Sequence, residues 1–309
     1  MKPGIALLGA SSINMVAAMP LPAAVNPTYF FTFGNSYTQT AFDVSGVQPR
    51  QVTQWGIRTW VGERFLQQLQ ISPAIHAYTG SGIGTTSGGA NWVGFLTTEQ
   101  NASLVLSYNL AVGGAGIDNS IVQTGSPDMV SQVNLFESTY SDKPEVAPWA
   151  ADSAWNSVGW AYSSTDASEV VPELMARYES LVEKIYADGG RKFLFVNVPP
   201  TSRSPYVTAQ GADAVERHAA WLAVFNKGLQ SMVKRFEVNH ADATTVLYDS
   251  FSFMTQVLDN PQEYGFPNAT CVNSDGTSCI WWNDYHPSAK YHGLQAEDMK
   301  GYLQPLGAW

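Results

Sequence analysis

One serine and one histidine, far apart in the chain, carry the chemistry that this sequence offers first. Thr28 to Phe33 is apolar and β-prone, it stops at Gly34, and Ser36 follows two residues later. A strand ending in a tight glycine turn holds a hydroxyl at the carboxyl edge of a sheet, where ligands and catalytic groups collect in open α/β folds. A serine hydroxyl becomes a useful nucleophile when a base takes its proton during attack. The chain has five histidines: His76, His218, His240, His286 and His292. His286 stands out, in Trp281-Trp282-Asn283-Asp284-Tyr285-His286-Pro287-Ser288, ahead of the last helical stretch. Pro287 suits the first turn of that helix. His292, about a turn and a half later, is the competing base and reads as a helix-surface residue. By themselves, Gly-x-Ser after a strand is a common turn and a histidine at a helix start is a common cap.

Two further segments change that balance. Tyr108-Asn109-Leu110-Ala111-Val112-Gly113-Gly114-Ala115 and Ala154-Trp155-Asn156-Ser157-Val158-Gly159 lie between the serine and the histidine. The ordered set of serine, glycine, asparagine and histidine blocks resembles the SGNH, or GDSL, hydrolases. Phe31 to Phe42 (FTFGNSYTQTAF) and Phe193 to Pro205 (FLFVNVPPTSRSP) are similar to the fungal acetyl esterases of carbohydrate esterase family 16. The resemblance runs from about Thr28 to the C-terminus. It implies Ser36 as nucleophile and His286 as general base. It implies an oxyanion hole from the Ser36 N–H, the Gly114 N–H (Gly113 as fallback) and the Asn156 side-chain amide. It also implies hydrolysis of acetyl esters of carbohydrates, xylo-oligosaccharides among them, with no cofactor and no metal.

The chain departs from that family at several positions. Asn35 stands where Asp is usual, which bears on turn geometry more than on chemistry. Ala154 and Ser157 replace a Gly and an Asp. The triad acid, normally Asp three residues before the histidine, is Asn283, with Asp284 one place later. A neutral amide can orient an imidazole but adds no charge to stabilise imidazolium. Three arrangements stay open: a Ser–His dyad helped by Asn283 or a backbone carbonyl, a local shift that recruits Asp284, or a weakened enzyme. The last motivates an alternative, a carbohydrate-binding descendant with reduced catalysis. A GDSL lipase or phospholipase is the other.

The elements that must position these residues alternate strand and helix. Strands are expected at 28–33, 104–110, 145–154, 192–198 and 244–248, with helices at 58–70, 128–140, 171–187, 211–237 and 287–303. Residues 78–100, rich in Gly, Ser and Thr, read as an exposed loop or small excursion. Such alternation calls for a parallel sheet with helices on both faces, a three-layer α/β/α sandwich. The resemblance implies the same fold.

Composition bounds the rest. In 309 residues, 14% are charged and 12% aromatic, with a formal net charge of −10. Such a chain suits a rigid globular protein, and the absence of a Lys/Arg cluster argues against nucleic acid or an anionic membrane as partner. Residues 1–18 read as a secretory signal: Lys2, an apolar run, then Val16-Ala17-Ala18 as a cleavage site, with a second possible site after Ala24. That leaves 19–309 as a single secreted, extracellular domain. Nothing in the sequence sets its oligomeric state. Cys271 and Cys279, flanking a turn-rich loop, are expected to pair in an oxidising compartment. Asn101 and Asn268 head glycosylation sequons. Of the ten tryptophans, Trp281 and Trp282 are candidates for substrate subsite walls, and Arg203 for the rim.

Overall fold

The computed structural model describes residues 27–46, 48–49, 84–144, 154–157 and 166–309. The segments read as a signal (1–18) and a helix (58–70) lie outside them, as do 145–153 and Gly159. Among the described residues, five strands form one parallel sheet in the order β2-β1-β3-β4-β5: β1 (Thr28–Phe33), β2 (Val105–Asn109), β3 (Ala154–Ser157), β4 (Lys192–Val196) and β5 (Thr244–Tyr248). The helices are α1 (Trp92–Thr98), α2 (Met129–Phe136), α3 (Ala167–Ala187), α4 (Pro205–Thr208), α5 (Ala212–Asn239), α6 (Ser250–Asp259) and α7 (Ala289–Leu303).

Strands buried on both faces read as near-continuous apolar runs, and TYFFTF and KFLFV are such runs. Successive side chains point to opposite faces. Tyr29, Phe31 and Phe33 therefore pack with α2, α3 and α5, while Phe30 packs with α1 and α7. The result is the three-layer α/β/α sandwich that the alternation called for.

Several elements differ from expectation. Strand β3 is Ala154–Ser157, beginning where the expected strand 145–154 ends, and the short helix α4 was not expected. Within 78–100, residues 92–98 are a helix whose Trp92, Val93 and Leu96 are core. Its short apolar stripe is hidden in Gly/Ser/Thr-rich surroundings, and Asn91 caps it by accepting the Gly94 N–H at 3.2 Å. Helix α6 was not expected. Asp249 caps it through the Ser252 N–H at 3.0 Å. Helix α2 gives way after Phe136 to a π-helical turn, Glu137–Ser141. Helix α7 starts at Ala289, not Pro287, because Ser288 is its N-cap. His286 is thus in the loop before the helix.

That loop is braced from two sides. Cys271 and Cys279 form a disulfide with Cα atoms 5.1 Å apart. Within the bridged loop, the Gly276 carbonyl accepts the Lys290 N–H at 3.0 Å, and the Ser87 carbonyl accepts the Ala289 N–H at 2.8 Å. Two of the N–H groups that a helix start leaves without intrahelical partners are so satisfied, and α7 is pinned where it follows His286. Replacing both Cys271 and Cys279 by alanine is expected to cost about 2–3 kcal/mol on the chain-entropy account. Urea denaturation reads the loss; an unmoved midpoint would show that backbone contacts alone hold the loop.

Candidate active site

The turn that carries Ser36 is held by carboxamides. Gly34 sits at φ +144°, a conformation that favours glycine. Gln132, buried on α2, grips it in both directions: its Oε1 accepts the Gly34 N–H and its Nε2 donates to the Gly34 carbonyl, each at 2.8 Å. Asn35 Oδ1 accepts the Tyr37 N–H at 3.1 Å. An amide oxygen serves this turn as a carboxylate would, without burying a charge. Further along, Asn109 donates to the Thr38 carbonyl at 2.6 Å. Asn91 donates to the Thr38 and Gln39 carbonyls at 2.9 and 2.8 Å.

The histidine loop closes on itself. The Trp282 N–H donates to the His286 carbonyl at 2.8 Å, and the Ser288 N–H to the Ile280 carbonyl at 2.8 Å. Asn283 Oδ1 accepts the Tyr285 N–H at 2.9 Å and the His286 N–H at 2.7 Å, and lies 3.1 Å from His286 Nδ1. Two backbone donors fix which end of the amide faces the imidazole, since an NH₂ group there would meet two N–H groups head on. With oxygen in that place, Nδ1 must carry the proton. Nε2 is then left as acceptor, 2.8 Å from Ser36 Oγ. Of the three arrangements open at position 283, the amide oxygen of Asn283 makes the contact. Asp284 is exposed, and its backbone carbonyl accepts the Tyr206 N–H at 2.7 Å. Burial pushes the His286 pKa down to about 4, and the charge of Asp284 opposes that shift.

The backbone N–H groups of Ser36 itself and of Gly114 donate to no acceptor among the described residues. Gly114 has φ +77°, and a Cβ there would lie 2.7 Å from Ser126 Oγ, so a side chain has neither the conformation nor the room. Gly113 is not an equivalent donor. Its N–H donates to Gln39 Oε1, and Gln39 Nε2 in turn donates to the Gly84 carbonyl at 2.9 Å. Ser36 and Gly114 both line a cavity of ≈ 230 Å³. Asn156 lies in β3, in register with Thr32 of β1 and Leu194 of β4.

Several sequence readings are corrected here. His292 is buried in α7, not on its surface, and burial pushes its pKa down to about 3. Trp281 is fully buried, with its indole N–H donating to the Ala269 carbonyl at 2.8 Å, so it is core and no subsite wall. Trp282 is half-buried, packs over Gly88, and donates to the Ser274 carbonyl at 3.2 Å. Arg203 pairs with Asp259 at 2.6 Å. Gln39 and Gln132 were missed. Both act on backbone distant in sequence, and neither sits in a local pattern that marks such a role. Among the described residues, no cluster of three or more His, Cys, Asp or Glu could hold a metal ion, and no helix is long and apolar enough to cross a membrane.

Known proteins resemble this chain. Residues 30–299 match the GDSL-like Lipase/Acylhydrolase family. The chain belongs to that family. This GDSL acylhydrolase is 36% identical to an acetylesterase of Thermothelomyces thermophilus, over 91% of the chain and 90% of the relative. It is 25% identical to a GDSL esterase/lipase of Arabidopsis thaliana, over 69% of the chain and 71% of that protein. Among solved structures, a family two carbohydrate esterase from Clostridium thermocellum in complex with cellohexaose covers 92% of the chain, which covers 66% of it in turn, at 12% identity and a TM-score of 0.46. The GDSL chain is thus a carboxylic ester hydrolase, and its hydrogen-bonded line Asn283–His286–Ser36 is an arrangement fit for acyl transfer.

An imidazole that must be neutral to act as base gives an acid limb in kcat/KM. For this GDSL enzyme that limb should lie near pH 4, with the rate flat above it towards neutrality. Asn283→Asp places a carboxylate against Nδ1, favours imidazolium, and should move the limb to higher pH and raise the rate on the plateau. Asp284→Asn removes the charge that opposes the depression and should move the limb lower. Loss of most turnover of a small ester by folded Asp284→Asn would instead make Asp284 the triad acid. Gln39→Leu should lower kcat more than it alters KM, since it frees the Gly113–Gly114 turn beside Ser36.

Proposed function

We propose that this chain is a secreted serine esterase that removes acetyl groups from acetylated carbohydrates, small xylo-oligosaccharides foremost. The observation that carries the chemistry is the 2.8 Å contact between Ser36 Oγ and His286 Nε2, with Nδ1 held by Asn283. The acetyl group and the sugar come from the 36% identical acetylesterase and from the FGNS and VPP segments of the sequence. Secretion rests on residues 1–18 and on the disulfide, and a single domain over 19–309 fits the one sheet. Asn268 is exposed and half-buried Asn101 lies at the start of the turn before β2, so both remain proposed glycosylation sites.

In this reading His286 Nε2 takes the Ser36 proton as Oγ attacks the ester carbonyl. The oxyanion accepts hydrogen bonds from the Ser36 and Gly114 N–H groups and from the Asn156 amide. A single such donor supplies ~3–4 kcal/mol in well-studied sites. As the tetrahedral intermediate collapses, His286 returns the proton to the leaving sugar oxygen, leaving acetyl-Ser36. Water then attacks, His286 takes one of its protons and returns it to Ser36 Oγ as the intermediate collapses, and acetic acid departs and ionises in solvent. His286 carries the proton in both half-reactions.

The size of the cavity favours a second reading. At ≈ 230 Å³ it is roomier than a two-carbon acyl group needs, and Trp92, Val196, Val198 and Tyr291 give it apolar walls, as a GDSL lipase would use. Initial rates on 4-nitrophenyl acetate and 4-nitrophenyl octanoate separate the two. The acetate should be turned over at least tenfold faster (a difference of ~1.4 kcal/mol), and Ser36→Ala should abolish both activities. A preference for octanoate replaces the acetylesterase reading by the lipase one. Absence of Ser36-dependent turnover on either leaves a carbohydrate-binding descendant.

A further inference from the structure

The site has a direction that the chemistry imposes. The developing oxyanion points at the Ser36 and Gly114 N–H groups, while the oxygen that leaves must come within hydrogen-bond reach of His286 Nε2 to be protonated. The leaving alcohol therefore lies on the histidine side of Ser36. What stands there is aromatic. The Tyr285 ring is 5.4 Å from the imidazole, centre to centre and nearly perpendicular, and Tyr285 lines the cavity with Ser36. The Tyr206 ring lies 6.0 Å beyond it, again nearly perpendicular, and is 54% exposed. The exposed Asp284 precedes Tyr285.

These three residues are fixed to one another. The Tyr206 N–H donates to the Asp284 carbonyl at 2.7 Å, and the Tyr37 hydroxyl donates to the Tyr285 carbonyl at 2.6 Å. The VPP segment after β4 and the histidine loop thus meet beside the base. Trp282, the aromatic that its place in the sequence favoured for this role, faces Gly88 and the Ser274 carbonyl instead.

We infer that Tyr206, Tyr285 and Asp284 form the subsite that holds the saccharide leaving group, an inference that rests on the carbohydrate-ester reading above. A pyranose ring presents C–H groups on a face and hydroxyls at its edge. The face packs on an exposed tyrosine ring, and adjacent hydroxyls donate to a carboxylate, which accepts at both oxygens. A plain alkyl leaving group would leave the carboxylate unused. The pairing of exposed aromatic and exposed acid beside the base thus selects a sugar on the alcohol side of the ester. The cavity's apolar walls at Trp92, Val196 and Val198 are left for the acyl side.

The test compares kcat/KM on acetylated xylo-oligosaccharides with that on ethyl acetate, whose leaving group is too small to reach Tyr206. In Tyr206→Ala the ratio of the two should fall on the order of tenfold, mainly through KM on the oligosaccharide. Tyr206→Trp should keep the ratio or raise it. Since more than half of the Tyr206 surface faces solvent, the variants should fold, and a thermal melt verifies it. A wild type active on both substrates whose ratio is unmoved by Tyr206→Ala overturns the subsite while leaving the esterase reading in place. A wild type that turns over ethyl acetate but no saccharide ester overturns the carbohydrate reading, and the subsite with it.

Discussion

The site depends on neutral carboxamides doing the work of holding backbone. The Gly34–Gln39 turn is gripped by Gln132, Asn35, Asn109 and Asn91, the glycine turn by Gln39, and the histidine loop by Asn283. A carboxamide carries acceptor and donor together and can satisfy a buried N–H and a buried carbonyl at once, as Gln132 does for Gly34. A carboxylate in the same places would accept only, and would have to be removed from water as a charge. Several such amides converge from α2, β2 and the residue before α1. The nucleophile is therefore placed by the tertiary fold as a whole.

The same neutrality sets the character of the base. With no carboxylate at Nδ1, nothing close by offsets the burial of His286 except the exposed Asp284. The imidazole is then ready to accept a proton throughout the neutral range, yet holds that proton weakly once it has it. Catalysis by proton transfer is most effective when the base has a pKa near the working pH. On the proposed reading this centre sits below that optimum, which gives more of the barrier to the oxyanion donors and to orientation. Asn283 supplies orientation: its oxygen is committed by two backbone N–H groups before the imidazole arrives.

Much of this was legible in the sequence, and the reasons differ by element. The strands β1 and β4 announced themselves because parallel strands covered on both faces are near-continuous apolar runs. The long helices α3 and α5 showed a clear helical period. Ser36 and His286 were legible because each sits in a segment with its own turn chemistry. What stayed hidden was either short or distant. Helix α1 has too few residues to establish a period, and α6 follows β5 with little more than Asp249 to mark its start. Gln39 and Gln132 bond to backbone that is remote or irregular, so local spacing says nothing of them. Trp281 and Trp282 were misread because proximity in sequence to His286 is not proximity to the cavity: the chain turns both indoles towards other carbonyls. Position 283 could be narrowed but not decided, since only the loop's closure reveals which oxygen meets Nδ1.

Ser36 and His286 are separated by 250 residues and meet at a single hydrogen bond. Ser36 lies in the turn after the first strand, and His286 in the loop before the last helix. Contacts of such long range form late, because the chain between them must be ordered first. A nascent chain thus carries its nucleophile for nearly its whole synthesis with no base to activate it. On the proposed reading, hydrolytic power arrives when the segment that carries His286 docks beside Ser36. On that reading, competence for catalysis is then a report on the completeness of the fold, since Ser36 meets His286 only when both ends of the chain are in place.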